Sequence, residues 1–167
     1  MLVVKGVRKL ASFGTDETIS RVVGQYSPML LRLAATRLSC TADAEDAVQE
    51  VFVKLLDARI VFRDAEHEKA WLIRATLHRA ADIRRKRARE APLEALAETG
   101  AVPDRSLELL SAVRALPEKY GGVIHLYYYE GYSIKEIAKL LDLPAATVGT
   151  RLARGRERLG RMLKEDE

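Results

Sequence analysis

The feature that most constrains this fold is a pair of short amphipathic helices near the carboxyl end of the chain. Ser133 and Glu136 have the spacing of a capping box, so they predict that a helix begins at this point. The apolar residues that follow recur at i, i+3, i+4 and i+7, as on one face of a helix. They are Ile134, Ile137, Ala138 and Leu141. Because Pro144 lacks an amide proton and disfavours helix in the residue before it, one helix should end near Asp142 and another should follow.

The second helix of the pair has an apolar back and a basic front. The apolar back consists of Val148, Leu152 and Leu159. The opposite face carries Thr147, Arg151, Arg154, Arg158 and Arg161. An apolar back with a row of guanidinium groups is what a helix needs to lie in the major groove of DNA. The alternative is a solvated basic face on an ordinary surface helix; the capped partner helix and the proline turn favour DNA binding.

The charge distribution agrees with a polyanionic partner. The 167 residues carry a net charge of +4 with a pI of about 9.3, and the basic residues concentrate at 74–89 and 151–164. Two separate basic patches indicate two contacts with a polyanion. Cys40 is the only cysteine, which excludes an intrachain disulfide and a multi-cysteine metal site.

Targeting signals and membrane spans are not expected. The longest apolar runs fall short of the ~20 residues that a membrane span needs, and the apolar run within residues 1–14 is too short for a signal peptide. We therefore expect a cytoplasmic protein without membrane insertion.

Helical periodicity also dominates the amino-terminal half, and no stretch is a convincing strand. Residues 16–39 are interpreted as a helical hairpin or a bent pair, because Ser27 and Pro28 look like an N-cap and a first helical residue. Another helix should begin at Thr41 or Asp43.

The helix that begins at Thr41 or Asp43 has a clean apolar face and an acidic one. Asp46, Gln49 and Glu50 form a contiguous patch at i, i+3 and i+4. Acidic residues in a first turn complement the helix dipole, and such a patch could instead dock on a basic partner. Periodicity alone favours the first explanation.

A long basic helix is predicted over residues 70–87. Trp71, Leu72, Ala75 and Ile83 can face a core. Arg74, His78, Asp82, Arg85 and Arg89 lie along one side. From the residues alone, a solvated run of charges is the preferred interpretation of that side. The more specific alternative is a second nucleic-acid surface. A linker is predicted over residues 90–104, where two prolines and a glycine interrupt the periodicity.

The stretch between the linker and the helix pair should form two more helices. One covers residues 106–115, and Pro117 should occupy the first position of the next. That helix should end at Gly131. The three tyrosines at 127–129 could stack on single-stranded nucleic acid, but packing in the core is the preferred interpretation.

Taken together, these segments resemble an extracytoplasmic-function sigma factor, and the resemblance covers about residues 16–163. The motifs that carry it are Asp43 to Phe52, Ala70 to Arg74 with the basic helix that follows, and Leu116 to Tyr120 with the helix pair. The resemblance implies a polymerase-docking helix, a −10 promoter element and a −35 promoter element, in that order. Their order and spacing in one short chain make the combination specific.

The fold implied is all-α, with two helical domains joined by a flexible linker and a helix-turn-helix in the second. The expected boundaries are an unassigned arm at 1–14, a docking and −10-binding domain at 15–89, a linker at 90–105 and a −35-binding domain at 106–164. The function implied is to bind core RNA polymerase, recognise and melt promoters, and initiate transcription, with no catalysis and no cofactor or metal. The expected partners are core polymerase, promoter DNA and, from the family alone, an anti-sigma factor.

The resemblance also assigns residues. Those expected at the −35 element are Thr147, Thr150, Arg151, Arg154 and Arg158. Those expected at the −10 element are Arg74, His78, Arg79, Asp82, Arg85 and Lys86. Those expected to contact polymerase are Asp46, Gln49 and Glu50. Residues 62–69 would be the loop that captures a flipped base.

This chain departs from the family pattern at several positions. Asparagine is common where His78 stands, glycine where Asp142 stands, lysine where Gly149 stands and serine where Thr150 stands, and a basic residue is common at Gly121-Gly122. The alternative function is a free-standing helix-turn-helix regulator that binds duplex DNA without polymerase; such a regulator would not need the helices of residues 43–52 and 70–89.

Overall fold

The chain is almost entirely helical. The computed structural model describes residues 16–90 and 105–165, with side chains described for 17–90 and 108–164. Over these ranges the backbone forms seven α-helices and no strand, which confirms the all-α prediction. The helices are α1 (Asp16–Ala35), α2 (Thr41–Asp57), α3 (Ala65–Glu90), α4 (Arg105–Ala115), α5 (Glu118–Tyr128), α6 (Ile134–Leu141) and α7 (Ala145–Glu165). The predicted arm and most of the predicted linker lie outside the described residues.

The first helix differs from its prediction. Residues 16–35 form one helix that contains Pro28, so the proline does not begin a second helix. A proline inside a helix frees the carbonyl of residue i−4, which is Gly24 here. Both Gly24 and Pro28 are exposed, so water can satisfy that carbonyl, while Val22 and Leu30 remain buried on the opposite face. One continuous helix therefore keeps Val22 and Leu30 on a single buried face.

Helices α1, α2 and α3 pack around one core. Leu30, Leu33, Leu55, Leu72 and Ile73 are among its fully buried side chains. The predicted inward face of α3 is confirmed, since Leu72 is buried and Trp71, Ala75 and Ile83 pack against the core. The helix is longer at both ends than the 70–87 that the sequence predicted.

Helices α6 and α7 form the predicted helix-turn-helix. Ser133 Oγ accepts from Glu136 N at 3.3 Å, and Glu136 Oε2 accepts from Ser133 N at 2.8 Å, so the capping box is confirmed. The α6 helix ends at Leu141, and its C-cap, Asp142, has a left-handed φ of 54°. This conformation explains why glycine is expected at that position, because glycine adopts it without steric cost.

The contact between α5 and α7 depends on a glycine that the periodicity did not identify. Gly155 is buried, and a Cβ at this position would lie 3.0 Å from Ile124 Cγ1 and 3.4 Å from Tyr120 Cβ. Val148, Leu152 and Leu159 are buried as predicted. The absence of a side chain at Gly155 therefore brings α7 close to α5.

Three details of α5 correct the sequence interpretation. Pro117 is the N-cap of the helix and not its first residue. The helix ends with a C-cap at Tyr129, and Gly131 follows with a left-handed φ of 76°. Tyr127, Tyr128 and Tyr129 are exposed, so their predicted core packing is wrong: the inward positions of α5 are taken by Tyr120, Val123, Ile124 and Leu126.

The two halves of the chain pack against each other along a seam. In the described residues the buried apolar side chains of α1–α3 and of α4–α7 belong to one continuous cluster. Helix α3 contacts α6, and α1 contacts α5. The carboxyl end of α1 accepts a hydrogen bond from the second half, since Arg114 Nε donates to Ala35 O at 2.7 Å. An unpaired carbonyl at a helix end is thereby satisfied.

Candidate nucleic-acid interfaces

The first candidate interface is a surface groove at the amino-terminal half of α7. Thr147, Thr150, Arg151 and Arg154 line it, so four of the five residues predicted to read duplex DNA lie together. Lys119 and Tyr120 of α5 complete its wall. The apolar back of α7 rests on α5 and α6, which fixes the direction in which these side chains project.

The fifth predicted residue, Arg158, lies one turn further along α7. Its guanidinium carbon is 5.5 Å from the centre of the Tyr120 ring, a cation–π distance. Burial raises the pKa of the Tyr120 hydroxyl, but Lys119, Arg154 and Arg158 lower that pKa by more than burial raises it. The net shift is therefore downward. The direction of this shift reports a concentration of positive charge along the groove.

Lys119 and Tyr120 are groove residues that the sequence pattern did not predict. Both belong to the motif from Leu116 to Tyr120, and Lys119 lies outside the run of basic residues on α7. Their position follows from the close packing of α5 on α7 at Gly155. The nearest sequence signal was the motif that ends at Tyr120.

The second candidate interface is a groove between α2 and α3. Arg74, His78, Arg79 and Asp82 line it on the α3 side, so four of the six residues predicted for the −10 element lie together. Arg85 and Lys86 lie further along α3 and do not line this groove.

Most cations of α3 are already paired with carboxylates. Arg79 forms an ion pair with Glu50 of α2, and Arg85 Nη2 is 2.8 Å from Asp82 Oδ1. Lys86 is 3.9 Å from Glu90. Within the described part of the chain, Arg74 is the predicted −10 arginine that forms no ion pair. The groove therefore offers fewer free charges than the sequence implied.

The acidic face of α2 is exposed. Asp46, Gln49 and Glu50 lie on the solvent side of the helix, as their spacing predicted. Glu50 is not free, because Arg79 holds it against α3. Asp43 is also held: its two carboxylate oxygens accept from Arg87 at 2.7 and 3.0 Å. Asp43 therefore joins α2 to α3 in addition to complementing the helix dipole.

Part of the predicted base-capture loop is unavailable to a base. Residues 65–69 are helical, Phe62 is buried, and Glu68 is fully buried. Both Glu68 oxygens accept from Arg21 of α1, the closest contact being 3.0 Å. The exposed residues of this segment are Arg63, Asp64 and the adjoining first turn of α3.

Comparison with known protein families decides the kind of protein. The family model described as Sigma-70 region 2 matches residues 22–90, and the model described as Sigma-70, region 4 matches residues 106–159. SigM of Mycobacterium tuberculosis, an ECF RNA polymerase sigma factor, is 30% identical over 156 residues, which cover 90% of this chain and 79% of that protein. The chain belongs to the extracytoplasmic-function sigma factors.

Other members of the family agree in length and fold. The sigma factor SigW of Bacillus subtilis is 28% identical over 185 aligned residues, covering 99% of this chain and 98% of SigW. The solved structure of the sigma factor RpoE in complex with the anti-sigma factor NepR, from Bartonella quintana, has a TM-score of 0.69 at 25% identity. It covers 90% of this chain and 99% of that one. The order of elements that the sequence resemblance implied is therefore shared along nearly the whole chain.

In this sigma factor, helices α1–α3 fall in the region 2 match and α4–α7 fall mainly in the region 4 match. We call them the region 2 half and the region 4 half. No helix of the described ranges is both long and apolar enough to cross a membrane.

The region 2 and region 4 halves are joined by charged side chains as well as by apolar contact. Arg32 of α1 donates to both oxygens of Glu130, at 3.0 and 3.1 Å. Glu130 Oε1 is also 3.0 Å from His125 Nε2. Burial raises the pKa of Glu130, but Arg32 and His125 lower it by more, so the carboxylate stays ionised. Arg37 Nη2 donates to Glu118 O at 2.8 Å, and burial lowers the pKa of the Arg37 guanidinium.

Proposed function

We propose that this sigma factor binds core RNA polymerase, directs it to a promoter with −35 and −10 elements, and helps to open the duplex. The main support is that three sets of side chains of suited chemistry are exposed on one helical scaffold. An acidic face lies on α2, a basic groove lies on α3, and a second basic groove lies on α7. The free-standing regulator is not favoured, because it leaves the α2 face and the α3 groove without a role.

The α7 groove is proposed to hold the −35 element as duplex. The amino-terminal turns of α7 would enter the major groove, where guanidinium groups can reach base edges and phosphates. Thr150 donates its hydroxyl proton to Ala146 O at 2.9 Å, which leaves the oxygen lone pairs for a donor on the DNA. Gly149 has open space around it, and a Cβ there would touch nothing within 4 Å. Arg151 and Arg154 therefore carry the groove contacts that a lysine at 149 would otherwise share.

The α3 groove is proposed to hold the −10 element during melting. Arg74 supplies the unpaired charge for a phosphate, and His78 lies exposed beside it. Trp71 lines the same groove and offers an aromatic surface for an unstacked base. Arg79, Asp82, Arg85 and Lys86 are proposed as secondary contacts, because their charges are partly engaged within the protein.

The exposed face of α2 is proposed to dock on a basic surface of core polymerase through Asp46, Gln49 and Glu50. Charge complementarity of this kind speeds encounter and fixes orientation. The ion pair between Glu50 and Arg79 would link docking to the α3 groove, because both residues line that groove. Binding through three sites on one chain raises the effective concentration of each, so no single contact needs high affinity.

We further propose that the chain has no catalysis of its own, acts in the cytoplasm where its polymerase and promoters are, and is inhibited by an anti-sigma factor. The last proposal is supported by the similarity to RpoE of Bartonella quintana, whose structure was determined in complex with the anti-sigma factor NepR.

The direct test is run-off transcription with core polymerase and a pool of genomic templates. The proposal predicts discrete transcripts that require this chain. If a core polymerase that responds to another sigma factor produces none with this chain, the proposal is wrong.

The docking role is tested separately with Asp46→Arg. Reversal of charge on α2 should weaken binding to core polymerase at least about tenfold, since like charges across an interface are strongly unfavourable. Lys139→Glu, an exposed charge reversal on α6, is a matched control in the region 4 half. Equal loss of polymerase affinity in the two variants would contradict the assignment of the α2 face.

A further inference from the structure

A cavity of about 470 Å³ is lined by residues of α3, α5, α6 and α7. Its volume lies within the range of about 300–1,000 Å³ that is usual for small-molecule sites. A cube of this volume has an edge of about 8 Å, less than the ~12 Å width of a major groove, so a DNA duplex does not fit inside. We call it the basic cavity, because five of its lining side chains are cationic: Arg37, Arg74, Arg85, Lys119 and Arg151. A ligand of this cavity must therefore be small and anionic.

Positive charge in the basic cavity exceeds the negative charge that the protein supplies. Glu118 is the single carboxylate among the described lining residues, and its side chain lies 3.6 Å from Arg37. Arg85 is paired with Asp82 at 2.8 Å. Within the described ranges the other three cations of the cavity form no ion pair; they are Arg74, Lys119 and Arg151. Like charges gathered at one small site repel each other even near a surface, so an anion bound among them is strongly favoured.

Arg37 has hydrogen-bonding capacity that the protein does not use. Its side chain is only 11% exposed, and its Nε is buried without a hydrogen-bond partner in the described part of the chain. Burial lowers the pKa of this guanidinium, and Arg84 and Arg85 add to the shift, while Glu118 opposes it. Hydrogen bonds between a guanidinium and an anionic acceptor are among the stronger ones in proteins. An anion near Arg37 would therefore relieve both the unmade hydrogen bond and the repulsion.

The amino-terminal end of α5 adds partial positive charge to the basic cavity. Glu118 and Lys119, the first two residues of α5, line the cavity. Pro117 is the N-cap of this helix, and its side chain has no atom that can accept hydrogen bonds from the first turn. The first amides of a helix and the helix dipole together favour phosphate groups. Phosphate also matches the planar donor groups of arginine, so phosphate is the anionic group that this cavity fits best.

Apart from His78, the rest of the lining is apolar. The apolar side chains are Leu77, Ala81, Val123, Leu141 and Leu143. Gly122 completes the lining, and its lack of a side chain preserves the space. A Cβ at Gly122 would lie 3.1 Å from Leu77 Cδ2 and 3.6 Å from Arg37 Nη2, so any side chain there would take up part of the cavity. A ligand with an apolar part as well as an anionic part suits this mixed lining better than a bare ion.

We propose that the basic cavity is a binding site for a nucleoside oligophosphate. The phosphates lie among Arg74, Lys119 and Arg151, which have no carboxylate partner, and the nucleoside rests against the apolar residues of the lining. Several linked phosphates can contact all three cations, whereas a single phosphate can contact few of them. Arg74 and Arg151 are also the arginines proposed to contact promoter DNA, so a bound nucleotide would withhold them from it. That consequence rests on the proposed function, whereas nucleotide binding itself does not.

Isothermal titration calorimetry on the full-length chain tests the site, with ATP, tripolyphosphate, inorganic phosphate and adenosine as probes and with EDTA present. One ATP should bind per chain, at least about tenfold more tightly than inorganic phosphate or adenosine, because only ATP has both an oligophosphate and a nucleoside. Tripolyphosphate should bind more weakly than ATP by about fivefold, because it leaves the apolar lining uncovered. Several ATP molecules per chain, or equal affinities for ATP and inorganic phosphate, would overturn the proposal. Equal affinities for ATP and tripolyphosphate would overturn the assignment of the nucleoside.

Two matched pairs of variants locate the bound ATP. Lys119→Glu, at an exposed position, should weaken ATP binding at least about tenfold, because it replaces attraction by repulsion. Lys139→Glu changes the net charge equally on the exposed face of α6, outside the cavity, and should weaken binding less than about twofold, since salt screens distant charges. Arg74→Gln and Arg89→Gln form a second pair on α3, of which only Arg74 lines the cavity. Equal losses within both pairs would show that ATP responds to net charge alone, and the site would be wrong. Transcription is not measured, so these results do not depend on the proposed function.

Discussion

The region 2 and region 4 halves differ in how they use charge. Among the described side chains, every buried charged group lies in the region 2 half: these are Asp43 and Glu68, each held by an arginine. In the part of α7 that the structure describes, Arg151, Arg154 and Arg158 form no ion pair. The region 2 half uses arginines to hold its own helices together, whereas the region 4 half leaves these three arginines of α7 without a carboxylate partner.

The difference matters because a paired cation must lose its carboxylate before it can bind DNA. An arginine without a carboxylate exchanges only solvent and counterions for a phosphate. A basic run in a sequence therefore overestimates the free charge where a neighbouring helix supplies acidic residues.

Removal of a structural arginine should cost the most stability. Arg21→Leu leaves the fully buried Glu68 without its cation. We expect the free energy of unfolding to fall by about 2–3 kcal/mol, below the range for a wholly buried pair because Arg21 is half exposed. Urea denaturation measures it. Arg154→Leu on the exposed face of α7 is the control and should change stability by less than about 0.5 kcal/mol. Similar losses in both variants would remove the contrast between the halves.

Removal of an unpaired arginine should cost the most DNA affinity. Arg151→Ala, measured in polymerase holoenzyme on a promoter fragment, should weaken binding by about 1–3 kcal/mol if Arg151 contacts a base, with relaxed sequence preference. If Arg151 contacts a phosphate, affinity should fall for all sequences alike. The slope of log K against the logarithm of the salt concentration should then become shallower by about 0.9. Arg79→Ala should have a smaller effect, because Glu50 already holds that guanidinium. A larger loss for Arg79 would show that pairing does not withdraw a cation from DNA.

Acid should loosen the seam through His125. Burial lowers the pKa of this imidazole, while Glu130 opposes the shift and Arg32 adds to it. Because the pKa of His125 is lower in the folded chain, its full contribution to the free energy of unfolding is present above its unfolded pKa of about 6.5. That contribution is lost as the pH falls below this value. His125→Gln should therefore lose less stability between pH 7.5 and 5.5 than the parent chain, by urea denaturation at each pH. His78→Gln, at an exposed site, should behave like the parent. Glu130 does not contribute in this window, because its lowered pKa moves its titration to more acidic pH.

Two residues with a left-handed backbone, one in each half, allow their steric strain to be compared. Arg59 has a φ of 46° and Asp142 a φ of 54°. Replacement of each by glycine removes steric strain, and we expect a gain of about 1 kcal/mol for Arg59→Gly and about 0.5 kcal/mol for Asp142→Gly, since aspartate tolerates this region better. Thermal denaturation measures both. A loss of stability in Asp142→Gly would mean that the aspartate contributes an interaction beyond its backbone conformation.

The sequence alone determined the features that depend on neighbours along the chain. The capping box at Ser133 and Glu136, the turn before Pro144 and the apolar faces of α2, α3 and α7 were all predicted from spacing, because a helix places residues three and four apart on one side. The motifs, in their order along the chain, carried the resemblance to the family. Pro28 shows the limit of local rules, since burial of the α1 face outweighed the tendency of a proline to begin a helix.

Which side chains meet across helices depends on how the helices pack. The pairs Arg79–Glu50, Arg87–Asp43 and Arg21–Glu68 join residues 29 to 47 positions apart, and no spacing rule connects them. The exposure of the tyrosines at 127–129 and the close approach at Gly122 and Gly155 likewise depend on how helices pack. Periodicity gives the direction of a side chain relative to its own helix axis, but its partner, and therefore its free charge, is set by where the other helices lie.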